Sequence, residues 1–470
     1  MDPVEITSQS QKTNASGIGI FLKVLIILFW LGQIWTTPYY KRNDFLDYGY
    51  NGIVMYIDSV LQENTLVGGR FSVFEVILFV LGSYLFYRYR GTGIEEKESR
   101  WFLLISFLAV FISFLNPNNS FDQFKYLFAN DPRLLLFYFF LLFTFLSISK
   151  EHLWIILYNF VKYGFIIALT QGAISSALFI MGKGIYFIGS STTLPNAEIL
   201  NVLIILSTIA LSLFAKTRRP AFLLFVLLIH FTVLFGDRRT PIIVMILSDL
   251  LIFIYYNKIS VPAILKLLAI FVIIYAAYYL LLSYEKFDLG YHLARVYSIF
   301  TSSYQGKYID DMGHLEQTQA TFATLLNNLD KFWGAGMRNY YDYVEGQSVY
   351  IHNNFVVVWA LYGLHMSLFL LYVLYTYLKH TVKMFKESFV LHNHPVKAAV
   401  VFSSMMLLIG DAFTGDYFCK HFCYLSLFVF SITFLRLTTE DEKKLLFMFS
   451  GKRIMNSTES YSLNGSSINR

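Results

Sequence analysis

Charge is scarce in this sequence. Only 14% of its 470 residues are Asp, Glu, Lys or Arg, whereas a soluble domain usually carries about 25%. Hydrophobic residues make up 56% of the chain and aromatic residues 19%, and the mean hydropathy is +0.53. A water-soluble fold of this length has no way to hide so much apolar surface. Cysteine is scarcer still: Cys419 and Cys423 are the two in the chain. A spacing of four puts them on one helix face but seldom in disulfide geometry, so they carry no redox argument. The alternating ten-residue segments of a membrane barrel are missing too. Runs such as LLLFYFFLLFTFL and ILNVLIILSTIALSLF are continuous instead. No small-residue cleavage site follows the first apolar run, GIGIFLKVLIILFWLGQIW, which therefore reads as a retained signal-anchor helix. There is no internal repeat of the kind that builds a transporter from two related halves. His314, His352 and His365 lack the close-spaced carboxylate or cysteine partners of a metal site.

What is present is a succession of apolar runs. A bilayer core of roughly 30 Å needs about 20 mainly apolar residues per helical crossing. The runs predict an all-α polytopic membrane protein of about twelve spans, near residues 17–35, 71–87, 101–115, 134–147, 152–180, 199–215, 221–235, 240–256, 261–283, 354–378, 398–413 and 418–435. Residues 1–283 thus hold helices one to nine with short loops, and 284–353 form one large outer loop. Residues 354–436 hold helices ten to twelve, and 437–470 form a polar cytoplasmic tail.

Basic residues set the orientation, because positive loops tend to stay cytoplasmic. Placing both termini inside puts Arg88, Arg90, Lys97 and Arg100 in the cytoplasm. Lys216, Arg218, Arg219, Lys379, Lys383, Lys386 and the Lys443, Lys444, Lys452, Arg453 tail join them. That gives about 20 basic residues inside against about 14 outside. The formal charge of +6 therefore reads as chain orientation and not as nucleic-acid binding.

Two outer features draw attention. The segment between the ninth and tenth spans is roughly 70 residues long, rich in Tyr, Asn, Gly and charge, and large enough for a substrate-facing subdomain with a helix around Leu315 to Leu329. The turn GDRRTP places Arg238 and Arg239 outside, against the general bias. Lipid-headgroup anchoring or a miscounted span is the bland account of that pair. The functional account is that guanidinium forks grip phosphate oxygens bidentately, more strongly beside hydrocarbon, with Asp237 orienting one of the two.

His352, in YIHNNFVVVWALYGL, precedes the tenth span. An interfacial histidine is commonly just an amphipathic surface residue. With Asn353 or Asn354 as cap, however, the positive helix end would favour a neutral imidazole suited to general-base work. The run FWGAGMRNYYDY has two glycines around an alanine, then Arg338 and aromatics. A plain turn explains the glycines, while Trp333, Asn339, Tyr340 and Tyr341 offer the aromatic faces and amide edges that suit sugar rings. Arg295, near the membrane end of the same loop, is a further candidate phosphate partner.

The order of these motifs resembles the O-antigen polymerase and ligase superfamily. Its members carry an arginine turn of the form S-R-T between two spans, then a long outer loop ending in G-x-G. H-N follows at a helix start, with a glycine about eleven residues on. Here GDRRTP, FWGAGMRNY and HNNFVVVWALYGL occur in that order, with Gly363 in place, and the likeness is closest from Ala221 to Met366. Where members often have an arginine some twenty residues before G-x-G, this chain has Gly313 and His314, so Arg295 or Arg338 must supply that charge if it is needed.

The resemblance implies an inner-membrane glycosyltransferase that uses an undecaprenyl-diphosphate glycan, needs no metal or cofactor, inverts at the anomeric carbon and faces the periplasm or cell exterior. It assigns Arg239 to the leaving diphosphate and His352 to the acceptor proton. Arg238, Arg295 and Arg338 are added from charge and position. Polymerisation of repeat units into O-antigen, capsule or exopolysaccharide is the expected activity, with a chain-length regulator or other assembly proteins as partners. Ligation of the glycan to lipid A core or another acceptor is the close alternative. A metal-dependent transferase using Asp44 and Asp47 is a rival enzyme. A lipid-linked oligosaccharide flippase or transporter is the non-enzymatic one, for which Glu75 and Asp249, inside expected spans, are the residues to watch.

Overall fold

The computed structural model describes residues 18–34, 65–66, 71–117, 132–180, 197–235, 239–257, 265, 319, 322–323, 325–327, 332–334, 353–388, 394–414 and 422–450. Among them are thirteen helices. In chain order these are α1 (Ile20–Ile34), α2 (Val73–Tyr89), α3 (Lys97–Phe114), α4 (Pro132–Ser147), α5 (Lys150–Ile180), α6 (Ala197–Thr217) and α7 (Pro220–Phe235). They continue with α8 (Arg239–Asn257), α9 (Asn354–Tyr362), α10 (Leu364–Ser388), α11 (Pro395–Thr414), α12 (Phe422–Phe434) and α13 (Thr439–Ser450). One two-residue antiparallel pair, Thr65–Leu66 with Phe71–Ser72, is the sole strand structure among the described residues. The architecture is all-helical, as continuous apolar runs require.

Every run expected to be a span carries a helix, apart from 261–283, of which Leu265 alone is among the described residues. Two stretches, Lys150–Thr170 in α5 and Leu200–Thr217 in α6, are long and apolar enough to cross a membrane. Ile20–Ile34, Phe137–Ser147, Pro220–His230, Pro241–Asn257 and Pro395–Gly410 are shorter apolar stretches.

Local chemistry sets the helix ends. Pro132, Pro220 and Pro395 each take the first helical position, where the missing N–H costs nothing. Arg218, at φ 56°, ends α6 in the left-handed conformation and lets the chain reverse into α7 within two residues. Helix α13 starts on a reciprocal cap. The Thr438 N–H donates to Asp441 Oδ2 at 3.1 Å, and the Asp441 N–H donates back to Thr438 Oγ1 at 3.2 Å.

The centre of the bundle is α6, whose residues Leu200 to Ala210 are all buried. A helix that is apolar all round belongs inside, and α6 packs against α7, α8 and α11. Helices α1, α2, α4 and α5 pack beside it as a second group, tied by Trp30 of α1, whose indole N–H donates to the Phe160 carbonyl of α5 at 2.7 Å.

Basic side chains gather at one end of the bundle. The buried guanidinium of Arg436, just past α12, donates Nε to Glu96 Oε2 at 2.7 Å, Nη1 to the Phe145 carbonyl at 2.8 Å and Nη2 to the Ile148 carbonyl at 2.7 Å. One fork thus satisfies the C-terminal carbonyls of α4 and a carboxylate at the start of α3. Lys379 of α10 reaches Glu98 at 3.3 Å. Lys397 Nζ donates to the Leu437 carbonyl at 3.2 Å. Arg219 donates to the carbonyls of Phe449 and Ser450, the exposed C-terminal acceptors of α13. The polar tail, accordingly, opens with a docked helix whose Leu445, Leu446 and Phe449 are buried.

Candidate functional site

Helix α3 leads from this basic end to the opposite one, about 27 Å away over its 18 residues. There its last turn meets the short described piece of the large loop. The Asn116 amide donates to the Trp333 carbonyl at 2.8 Å, and Ser113 Oγ lies 2.9 Å from His365 Nε2. The Phe332 carbonyl accepts the Leu364 N–H at 2.8 Å. The Phe332 and His365 rings sit 5.4 Å apart. The loop turn is therefore pinned from two sides, by α3 and by the chain between α9 and α10.

That chain departs from expectation. Residues 354–378, expected as one span, are two helices broken at Gly363, which adopts φ 103° and ψ 164°. Helix α9 folds back on α10, so that Ser367 Oγ donates to the Phe355 carbonyl at 2.6 Å. The break is sterically reciprocal with the turn. A Cβ on Gly363 would sit 2.7 Å from the Phe332 carbonyl oxygen, and a Cβ on Gly334, at φ +69°, would strike the carbonyls of Trp359 and Ala360. Both backbones come this close because neither residue has a side chain.

The turn that carries the first glycine of the G-x-G element thus packs against the end of α9 and the glycine that follows the H-N pair. Helix α9 ends at this break; it is nine residues long and buried along Val356, Val357, Val358 and Ala360. Its N-cap is Asn353, whose side chain accepts the Val356 N–H at 3.1 Å, which settles which of the two asparagines caps the helix. His352 itself lies outside the described residues.

Arg239 is the first residue of α8. The far end of α8 carries Tyr255, whose hydroxyl accepts the His394 N–H at 3.4 Å beside the basic end. Arg239 therefore starts α8 at the end of the bundle that holds the Phe332–Gly334 turn. Trp333, half-buried, is the one expected sugar-contacting residue that the structure describes, and it packs 6.2 Å from His365, ring to ring. Arg238, Arg295, Arg338, Asn339, Tyr340 and Tyr341 lie outside the described residues, as do Asp44 and Asp47.

Sequence reasoning did not single out the partner of Asp249. It is His230 of α7, whose Nε2 meets Asp249 Oδ2 of α8. His230 Nδ1 stands 2.7 Å from its own Val226 carbonyl and 3.3 Å from Ser207 Oγ of α6. The trio has the residue types of a nucleophilic triad without its wiring. Nδ1 must carry a hydrogen for the Val226 carbonyl, so it has no lone pair with which to activate Ser207. The pair joins α7 to α8, and the signal for it was the placing of one ionisable residue in the middle of each of two consecutive apolar runs.

The geometry offers a pinned turn, a glycine break and a capped buried helix at one end, with basic clamps at the other. No family model matches the chain, and no curated protein matches it.

Proposed function

We propose that this chain is a multi-pass inner-membrane glycosyltransferase that polymerises undecaprenyl-diphosphate-linked repeat units on the outer face of the membrane. The observation that carries the reading is the packing of the Phe332–Gly334 turn against the end of α9 and its Gly363 break. It draws a motif from the large loop and a motif from the helix after His352 to one end of the bundle, the end at which α8 begins with Arg239.

Membrane embedding is supported by the distribution of polarity. Large apolar side chains such as Leu224, Leu227, Leu368 and Tyr375 face outward, while Ser106, Thr144, Ser207, Ser212, Thr232 and Ser403 are buried between helices. Water would favour the reverse; hydrocarbon favours this arrangement. With about twelve spans and both termini inside, the end bearing Arg436, Lys379 and Arg219 is cytoplasmic and the Trp333 end is periplasmic.

In the transfer step an acceptor hydroxyl attacks the anomeric carbon of the donor glycan. The new C–O bond forms as the bond to the diphosphate oxygen breaks, with inversion. His352 takes the hydroxyl proton, and Arg239, with Arg238 and either Arg295 or Arg338, holds the charge that grows on the leaving diphosphate. Trp333, Asn339, Tyr340 and Tyr341 receive the sugars. The residues around Gly363 touch no reacting atom in this scheme; they fix the position of those that do.

The test is to incubate purified protein with a lipid-linked repeat unit and resolve the products by length. A ladder of longer lipid-linked glycans is the expected result. Transfer of the glycan to lipid A core without a ladder would replace polymerase by ligase. Movement of the lipid between leaflets with no new glycosidic bond would replace both by a flippase.

A further inference from the structure

The acidic residues around the start of α3 are all engaged. Glu96 holds Arg436, Glu95 and Glu96 stand 3.8 and 3.7 Å from Lys150, and Glu98 holds Lys379. Neighbouring Lys97 and Arg100 have no carboxylate partner among the described residues, and Arg100 Nη2 only touches the Glu95 carbonyl at 3.3 Å. The two cations are exposed, and together with Trp101 and Leu104 they line a surface hollow. So the hollow carries two positive charges that no carboxylate among the described residues neutralises.

Below it an apolar stripe continues down the same face of α3. Trp101, Leu104, Leu108, Phe111 and Leu115 recur at helical spacing and are each 44–57% exposed. From Trp101 to Leu115 the stripe covers about 21 Å, more than the roughly 15 Å depth of one hydrocarbon leaflet. The other faces of α3 pack on α4 and α10. A cationic hollow, an indole at its rim and a long apolar track beneath match one amphiphile: an anionic headgroup with acyl chains.

We propose that Lys97, Arg100 and Trp101 bind one anionic phospholipid of the cytoplasmic leaflet. Its phosphate lies between the ammonium and the guanidinium, and one acyl chain lies along Leu104, Leu108, Phe111 and Leu115. The guanidinium offers paired donors to phosphate oxygens, the ammonium adds a point charge, and the indole sits at headgroup depth. The site is on the face opposite the proposed transfer site, so the lipid is a structural ligand and not the glycan donor. The inference rests on the membrane reading and not on the transfer chemistry.

Purified full-length protein in mild detergent is titrated with brominated-chain phosphatidylglycerol or brominated-chain phosphatidylcholine, and tryptophan quenching is followed. Wild type should be quenched by phosphatidylglycerol at a concentration lower by on the order of tenfold or more, a preference that high salt removes. Lys97→Gln with Arg100→Gln should melt like wild type in detergent and respond equally to both lipids. Trp101→Phe should lose the phosphatidylglycerol-specific quenching while leaving the rest. A double variant that keeps the anionic preference, or a preference undiminished in Trp101→Phe, overturns the site. Protein that stays dispersed without detergent and takes up neither lipid overturns the membrane reading instead.

Discussion

The Glu442 carboxylate accepts the backbone N–H of Lys397 at 2.6 Å, joining α13 to the first turn of α11. The side chain is fully buried, and its second oxygen faces His394 Nδ1 at 3.7 Å, beyond hydrogen-bond length. Burial pushes the Glu442 carboxyl up to about 8 from an ordinary 4.5, against the opposing pull of the Lys397 N–H, Lys397 and Lys216. Between those two values the folded protein keeps a proton that the unfolded chain has released. The stabilisation is complete below the lower value and is lost as pH rises through the upper one, at no more than about 1.4 kcal/mol per pH unit. Glu442→Gln keeps the acceptor for Lys397 and removes the titration. Thermal unfolding at pH 6 and pH 9 should show a fall in the wild type that is clearly smaller in the variant. Equal falls would mean that Glu442 does not titrate in that window.

Gly363→Ala should destabilise the turn junction. Alanine disfavours φ 103°, and its methyl group would press on the Phe332 carbonyl and the His365 ring. Strain of this kind costs about 1–3 kcal/mol, so a lowered melting temperature together with impaired glycan polymerisation is expected. Asn116→Ala removes one hydrogen bond to Trp333 and should cost about 1 kcal/mol. An alanine at 363 that melts and polymerises like wild type would show that the break does not depend on glycine.

Arg436→Met should be among the most damaging single changes. It takes a guanidinium donor from the Phe145 and Ile148 carbonyls and from Glu96 together. Losing hydrogen bonds from a charged donor typically costs about 1.5–3 kcal/mol each. Arg436→Lys should fail nearly as badly, because an ammonium cannot present the fork that reaches three acceptors. Detergent stability measured by unfolding fluorescence checks both, and a wild-type lysine variant would show that charge alone suffices.

Arg239→Lys keeps the charge at the start of α8 and loses the bidentate grip. If Arg239 holds the diphosphate, polymerisation should drop roughly ten- to a hundredfold, the equivalent of a charged hydrogen bond, with melting unchanged. Full activity would leave Arg239 as an interfacial anchor.

His352→Gln retains a hydrogen-bonding side chain but no proton acceptor. It should bind the lipid-linked donor nearly as well as wild type and form product about a hundred- to ten-thousandfold more slowly. Donor binding measured apart from product formation makes the comparison, and normal turnover would assign the proton to another group.

Helix positions were legible because an uninterrupted apolar run needs no periodicity to be read. The break at Gly363 was not. FVVVWALYGLHMSLFLLYVL is nearly unbroken in hydropathy, and glycine is common inside apolar spans. What turns the chain is the Phe332 carbonyl, thirty-one positions earlier than Gly363, a contact that no local pattern encodes. Helix α13 was within reach, since Thr438 and Asp441 have capping-box spacing, but its charge made the segment look like a tail. Of the expected site, Arg239, Trp333 and the Asn353 cap fall among described residues. Asp249 stood out as a charge inside an expected span, whereas its partner His230 becomes visible only once α7 and α8 are laid side by side.

The clamp of Arg436 on Glu96 links positions 340 residues apart. At about 5–20 residues per second of synthesis, the arginine emerges on the order of half a minute after its partners. During that interval the Phe145 and Ile148 carbonyls and Glu96 lack the donors that Arg436 supplies in the finished fold. Their assembly is provisional until the later chain arrives. Translation that stalls in between leaves the α3–α4–α5 junction without the clamp that closes it in the finished fold.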